Sequence, residues 1–126
     1  MLHPAQKQRF ARHILLPEIG EDGQARLCAA RVRFPGSADA RAADVARSYL
    51  ERAGIEVLPA DAEGAKVSRA VPDTGEVQAI AGSPELVEAA AALCGALAAV
   101  EAIKAALGIG RAAGVPAVVL AGDASP

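Results

Sequence analysis

The segment RVRFPGSADARAADVARSYLERAG, residues 31–54, constrains the possible fold more than any other part of the chain. Its first four residues predict a short strand, and the Pro-Gly pair after them is typical of a turn. Residues 40–53 then place Ala, Tyr and Leu side chains at helical spacing, with Arg and Glu on the other face. Gly54 stands where a glycine commonly ends a helix. The segment therefore predicts a β-α unit.

A strand predicted at 55–60 is reached through that helix, so the two strands should form a parallel, right-handed β-α-β unit. Further strands are predicted at 77–82 and 116–122, and helices at 4–16, 21–30 and 83–107. This order predicts an α/β fold: a small three-layer Rossmann-like domain with a mostly parallel sheet and an N-terminal helical arm. A single domain then covers residues 1–126, with the arm at 1–30, a reduced β-α-β core at 31–82, and the long helix and final strand at 83–126.

The long helix has the clearest start signal in the chain. Ser83-Pro84-Glu85 supplies a capping hydroxyl, a proline at the first helical position and an acid in the first turn. Large apolar side chains recur every seven residues, at Leu86, Leu93, Val100 and Leu107. Small residues lie beside them, which permits another element to approach the helix closely.

The chain has few large side chains with which to build a core. Of 126 residues, 32 are alanine, and the only aromatic residues are Phe10, Phe34 and Tyr49. Burying one face against a second subunit would add stability to so thin a core. We therefore expect a dimer.

Charge and cysteine content argue against two classes of function. The net charge is −2, whereas nucleic-acid binding requires clustered Lys and Arg to neutralise phosphates. Cys28 and Cys94 belong to no CxxC pair, and with His3 and His13 they lack the spacing of a zinc site. We expect no nucleic-acid partner and no metal, with Cys94 buried as a small apolar side chain.

The sequence also argues against a membrane location. Gln, Lys and Arg interrupt the N-terminus, which therefore does not resemble a signal peptide. The alanine-rich stretch 86–107 carries Glu88, Glu101 and Lys104 and would be a poor membrane span. These features predict a cytoplasmic protein.

The turn between the first strand and its helix resembles a reduced phosphate-binding loop. A dinucleotide-binding GxGxxG uses its glycines for the tight turn, for close approach of phosphate and for helix-strand packing. Only Gly36 is present here, and Asp39 lies where a phosphate would sit near the helix N-terminus. A carboxylate there caps the helix and competes with an anionic ligand, although Arg41 could offset its charge. We predict that Asp39 is the N-cap and that the loop is no conventional phosphate cradle.

Two other stretches resemble one protein family. The segment QRFARHILLPEIGEDGQARLCAARV, residues 8–32, is similar to the opening motif of the ThiF/MoeB/HesA family, relatives of the ubiquitin-activating enzymes. The residues that fit the motif are Arg9, Phe10, Arg12, Ile14, Leu15, Leu16, Pro17, Glu18, Gly20, Gly23, Gln24 and Leu27, whereas His13 stands where the family usually has Gln. Residues 95–110, GALAAVEAIKAALGIG, resemble a late helix of the same family, and residues 115–124 resemble the strand that follows it.

The resemblance implies an activity, but much of the family's catalytic centre is missing. Family members use ATP and magnesium to adenylate the C-terminal glycine of a ubiquitin-like or sulfur-carrier protein. Their S-N-x-x-R-Q motif cannot be present, because the chain contains no asparagine. The resemblance implies that Arg12 contacts ATP phosphates of a neighbouring subunit, whereas an ordinary arginine at this position would pair with Glu18 or cap a helix. Asp61, after the second strand, matches the acid that binds ribose.

Three hypotheses for function remain. The first is a degenerate, non-catalytic family member that forms a homodimer, or a heterodimer with a full-length relative to which it donates Arg12. The second is a residual ATP-binding adenylating enzyme that uses Gly36, Arg41 and Asp61. The third is an ATP-independent interaction protein that binds carrier proteins.

Overall fold

Most of the chain that the computed structural model describes, residues 2–59, 62 and 71–110, is helical. The helices are α1 (Pro4–Arg9), α2 (Ala11–Ile14), α3 (Gly20–Ala29), α4 (Ala40–Ala53), α5 (Thr74–Ala81) and α6 (Val87–Leu107), with a 3-10 turn at Pro84–Leu86. The strands are β1 (Arg31–Arg33) and β2 (Glu56–Leu58). The predicted helix at 4–16 is thus broken at Phe10 into α1 and α2, and the predicted strand at 116–122 lies outside the described residues.

The predicted β-α-β unit is confirmed. Strand β1 pairs in parallel with β2, with Val32 opposite Val57 in the register. Arg31 lies opposite Glu56, and their exposed side chains form an ion pair with a nitrogen-oxygen distance of 3.1 Å. Helix α4 connects the two strands and ends at Gly54, whose φ of 98° lies in the left-handed region that favours glycine. The described part is therefore an α/β arrangement built on a small two-stranded parallel sheet.

The strand predicted at 77–82 is wrong, because this segment belongs to helix α5. The Asp73 carboxylate accepts a hydrogen bond from the Glu76 backbone N–H at 2.8 Å and so caps the first turn. Val77 and Ala81 are fully buried and lie four residues apart, on one face of the helix. Gly82, with a φ of 71°, ends the helix. The prediction took a short apolar run for a strand and overlooked the cap that precedes it.

Helix α6 places mostly small residues in its buried face and approaches α4 closely. The buried residues of α6 are Ala90, Ala91, Cys94, Gly95, Ala98, Ala99 and Leu107. A Cβ atom added to Gly95 would collide with the Ala42 carbonyl oxygen and lie 2.8 Å from the Val45 Cβ atom. The close approach expected from the small residues is confirmed, whereas Val100 of the seven-residue repeat is 50% exposed.

By length and composition alone, the helical stretch Pro84–Leu107 could also cross a membrane. Its most apolar window has a mean hydropathy of 1.9, and 33% of that window is buried inside the protein. A core helix meets the same criteria, and α6 does pack on α4, α5 and α3. The stretch is therefore weak evidence for a membrane location.

Candidate functional site

Asp39 fills the position near the α4 N-terminus that a phosphate would occupy. Its side chain is only 2% exposed, and Oδ1 accepts hydrogen bonds from the backbone N–H groups of Arg41 and Ala42, each at 3.0 Å. The Arg41 Nη2 donates to Asp39 Oδ2 at 3.1 Å. The prediction that Asp39 is the N-cap is confirmed. The first free N–H groups of the helix are thus bound to a carboxylate of the chain itself.

The electrostatics of this loop keep Asp39 ionised. The hydrogen bond from the Arg41 guanidinium holds the pKa of Asp39 below its ordinary value; burial opposes this effect, and the backbone N–H of Ala42 supports it. Burial, together with the negative charges of Asp39 and Glu76, raises the pKa of the Cys94 thiol. Cys94 is fully buried, as predicted, and stays protonated, which disfavours it as a nucleophile.

Residues 72 and 73 form backbone contacts with this loop. The Asp39 backbone N–H donates to the Pro72 carbonyl oxygen at 3.0 Å, and Ala38 forms an antiparallel bridge with Asp73. Gly36, by contrast, is exposed and has no positive φ, and no atom of the described residues, its two chain neighbours aside, lies within 4 Å of the position that a Cβ would take. Within this chain, the backbone at Gly36 does not require glycine.

Arg12 lies in a different place, in a cleft that three arginines line. The cleft has a volume of about 430 Å³, and its charged lining residues are Arg9, Arg12 and Arg52, joined by His13. Arg9 is held in place, because its guanidinium carbon lies 4.9 Å from the centre of the Phe10 ring and its Nη2 donates to the Glu51 carbonyl oxygen at 3.3 Å. Arg12 is exposed, and no ion pair joins it to Glu18 or to any other acid in the described part of the chain. We call this the arginine cleft.

The arginine cleft and the Asp39 loop lie at opposite ends of α4. Arg52 follows Arg41 by 11 residues on this helix, which at about 1.5 Å per residue separates their backbones by roughly 16 Å. The structure therefore brings Gly36 and Arg41 into one loop and places Arg12 apart from them. Asp61 lies outside the described residues.

A buried glutamine positions the histidine of the cleft. The fully buried Gln24 donates from Nε2 to the Ala53 carbonyl oxygen at 2.9 Å, which turns its Oε1 toward His13 Nδ1 at 3.0 Å. An amide oxygen can only accept, so His13 Nδ1 carries the proton. The imidazole also stacks on Phe10, with ring centres 5.6 Å apart.

The residues that sequence reasoning missed are Arg52 and the supporting role of Gln24. Arg52 lies 40 residues beyond Arg12 in the chain, and its charge is ordinary for the exposed face of a helix. Gln24 matched the opening motif, which gave it no separate role. No group of three or more His, Cys, Asp or Glu side chains in the described residues is placed to hold a metal ion.

Comparisons of the chain with models of protein families, with curated proteins and with solved structures gave no match. The likeness to the ThiF/MoeB/HesA family therefore depends on the motifs in the sequence.

Proposed function

We propose that the chain is a degenerate, non-catalytic member of the ubiquitin-like-protein-activating (ThiF/MoeB/HesA) family that acts as one subunit of a dimer. Its partner is a second copy or a full-length catalytic relative, and Arg12 contacts the ATP phosphates bound by that partner. In this proposal the complete chain has a three-layer Rossmann-like fold and works in the cytoplasm beside a ubiquitin-like or sulfur-carrier protein.

One observation carries the proposal. Arg12 is exposed and has no acidic partner among the described residues, and it lies at the end of α4 opposite a loop that Asp39 already fills. Its guanidinium is thus free for a phosphate that this chain's own loop does not hold. A guanidinium presents planar, paired N–H donors that match two phosphate oxygens, so its contribution to a neighbour's site would be strong and directional.

Exposed leucines beside Arg12 offer the partner an apolar contact. Leu15 and Leu16 follow α2 directly and are 81% and 48% exposed. Covering a leucine side chain stabilises an interface by about 2 kcal/mol, and a covered surface beside Arg12 would also exclude water from its phosphate contact. The partner surface is therefore expected to reach the turn at Leu15 and Leu16.

The second hypothesis, a residual adenylating enzyme, conflicts with the geometry of its own loop. Arg41, which would have to bind phosphate, donates to Asp39, and Asp39 occupies the helix N–H groups. ATP would have to displace a buried carboxylate. The third hypothesis, an ATP-independent interaction protein, needs the exposed leucines but gives Arg12 no role.

The proposal is tested with a full-length catalytic relative whose own opening-motif arginine has been replaced by alanine. Adding this chain should restore ATP-pyrophosphate exchange, while adding its Arg12→Ala variant should restore at most a hundredth of that rate. Arg47→Ala is the matched control, because this exposed arginine of α4 already pairs with Asp44 at 3.5 Å.

The outcomes of these measurements distinguish the three hypotheses for function. A complex in sedimentation velocity with no restored exchange would favour the interaction protein. ATP binding by this chain alone, abolished by Arg41→Ala, would favour the residual enzyme. Neither a complex nor restored exchange, with this chain monomeric by itself, would contradict the proposal.

A further inference from the structure

An apolar groove lies next to the arginine cleft. It has a volume of about 300 Å³ and runs between α4 and α6, where Tyr49, Val100 and Ile103 form its walls above the alanines of both helices. Tyr49 is 48% exposed and Val100 is 50% exposed, so large apolar surfaces face solvent at this point. His13 and Arg52 line both the groove and the cleft, so the two spaces are adjacent.

The cleft holds positive charge that no acidic side chain in the described part of the chain neutralises. Among the described residues, neither space is lined by an Asp or Glu side chain. Elsewhere on the described surface, Arg31, Arg41 and Arg47 each pair with an acid, at 3.1, 3.1 and 3.5 Å. No such pair, and no hydrogen bond from the side chain, is present for Arg12 or Arg52 in the described part of the chain.

Position at helix ends accounts for only part of this arrangement. Arg9, Arg12 and Arg52 lie in the last turns of α1, α2 and α4, where the partial negative charge of the carbonyl groups attracts cations. That attraction stabilises charge near the helix ends, but it leaves the N–H donors of Arg12 and Arg52 available. Three guanidinium groups beside a continuous apolar surface have the polarity of a site for an amphipathic anion.

We propose that the arginine cleft and the apolar groove form one binding site for a small ligand that carries a phosphate or carboxylate group on an apolar body. The oxyanion lies among Arg9, Arg12 and Arg52, and the apolar body lies along Tyr49 and Val100. All the lining residues named come from one copy of the chain, so the inference does not depend on the proposed function; the ligand and a partner's ATP would compete for Arg12. It also lies at the end of α4 opposite the Asp39 loop.

Part of the site is fixed before any ligand binds. Arg9 is held by the Phe10 ring and the Glu51 carbonyl oxygen, and His13 is held by Gln24 and by stacking on Phe10. Groups that are already ordered lose little conformational entropy on binding. Arg12 and Arg52, whose side chains have no partner in the described part of the chain, then supply further N–H donors to the oxyanion.

The probe is hexyl phosphate, compared with inorganic phosphate and with hexanol. Tyr49 is the only tyrosine and the chain has no tryptophan, so its fluorescence reports directly on the groove. Each methylene buried contributes about 0.8 kcal/mol, so two or three buried methylenes should make hexyl phosphate bind at least about tenfold more tightly than inorganic phosphate. Hexanol should bind more weakly than hexyl phosphate by a similar factor. Heptanoate in place of hexyl phosphate tells whether the site prefers a carboxylate.

Variants separate the two halves of the site. Arg52→Ala and Arg12→Ala should each weaken the binding of hexyl phosphate at least about fivefold. Arg47→Ala should leave its affinity unchanged. Val100→Ser should bring the affinities of hexyl phosphate and inorganic phosphate closer together without changing the affinity for phosphate. Far-UV circular dichroism of every variant verifies folding, and calorimetry verifies the affinities without the fluorophore.

Equal affinity for hexyl phosphate and inorganic phosphate would overturn the single-site proposal. The same conclusion would follow if Arg47→Ala and Arg52→Ala lost equal affinity for hexyl phosphate. Sedimentation of the same samples shows whether the ligand binds a monomer. Failure of this experiment leaves the exchange assay with the catalytic relative unaffected, so the two proposals fail separately.

Discussion

Replacing Asp39 tests the interpretation of the loop most directly. In Asp39→Ala, the backbone N–H groups of Arg41 and Ala42 lose their acceptor. Loss of an N-cap costs about 1 kcal/mol, and a buried N–H group left without a partner adds roughly another 1 kcal/mol. The ion pair with Arg41 adds little, because that side chain is 46% exposed. The free energy of unfolding should therefore fall by about 2 kcal/mol.

Urea unfolding followed by circular dichroism at pH 7 measures this loss, which corresponds to a midpoint lower by roughly 1 M. Asp44→Ala is the matched control on the same helix, because its carboxylate is 77% exposed, and it should cost less than about 0.5 kcal/mol. A loss at Asp39 no larger than at Asp44 would refute the assignment of Asp39 as a stabilising cap.

The pH dependence gives a second test of the same carboxylate. Its pKa in the folded protein lies below the unfolded value of about 3.9, so its ionised form stabilises the fold above that pH. This contribution is lost as the pH falls through the folded pKa. The difference in unfolding free energy between the wild type and Asp39→Asn should thus be constant from pH 5 to 7 and shrink below about pH 4. An unchanged difference at pH 3 would contradict the pKa direction.

Three further substitutions test the packing. Gly95→Val should lower the free energy of unfolding, measured by urea titration, by about 3 kcal/mol, because the added Cβ atom meets the Ala42 carbonyl oxygen. A loss below about 1 kcal/mol would show that α4 and α6 separate easily. Gly36→Ala should change stability by less than about 0.5 kcal/mol, whereas a large loss would mean that the loop needs glycine. Gln24→Ala should cost about 2 kcal/mol by the same measurement, since it leaves the Ala53 carbonyl oxygen without its donor, and a neutral result would contradict that hydrogen bond.

Local signals in the sequence predicted the local structure well. The Pro-Gly turn, the Asp39 cap and Gly54 lie within a few residues of the helix that they delimit, so the β-α-β unit could be predicted from residues 31–60 alone. The same kind of signal was present at Asp73 and Gly82, but the apolar run between them was short enough to fit either a strand or a helix.

The arginine cleft could not be predicted in this way. Arg9 and Arg12 come from the N-terminal helices, whereas Arg52 comes from the end of α4, and only tertiary packing brings them together. The exposure of Val100 could not be predicted for a related reason. The spacing of large side chains along α6 does not show which of them a neighbouring helix covers; α4 approaches α6 at Gly95, and Val100 is 50% exposed.

The alanine-lined contact between α4 and α6 has a consequence for the response to temperature. The heat capacity of unfolding follows the apolar area that becomes exposed, and a core of methyl groups exposes less area per residue than one of leucine and phenylalanine. The heat capacity change of unfolding should therefore fall below the usual value of about 12–15 cal/mol/K per residue. The stability curve is then unusually flat, so the free energy of unfolding changes slowly between cold and warm conditions.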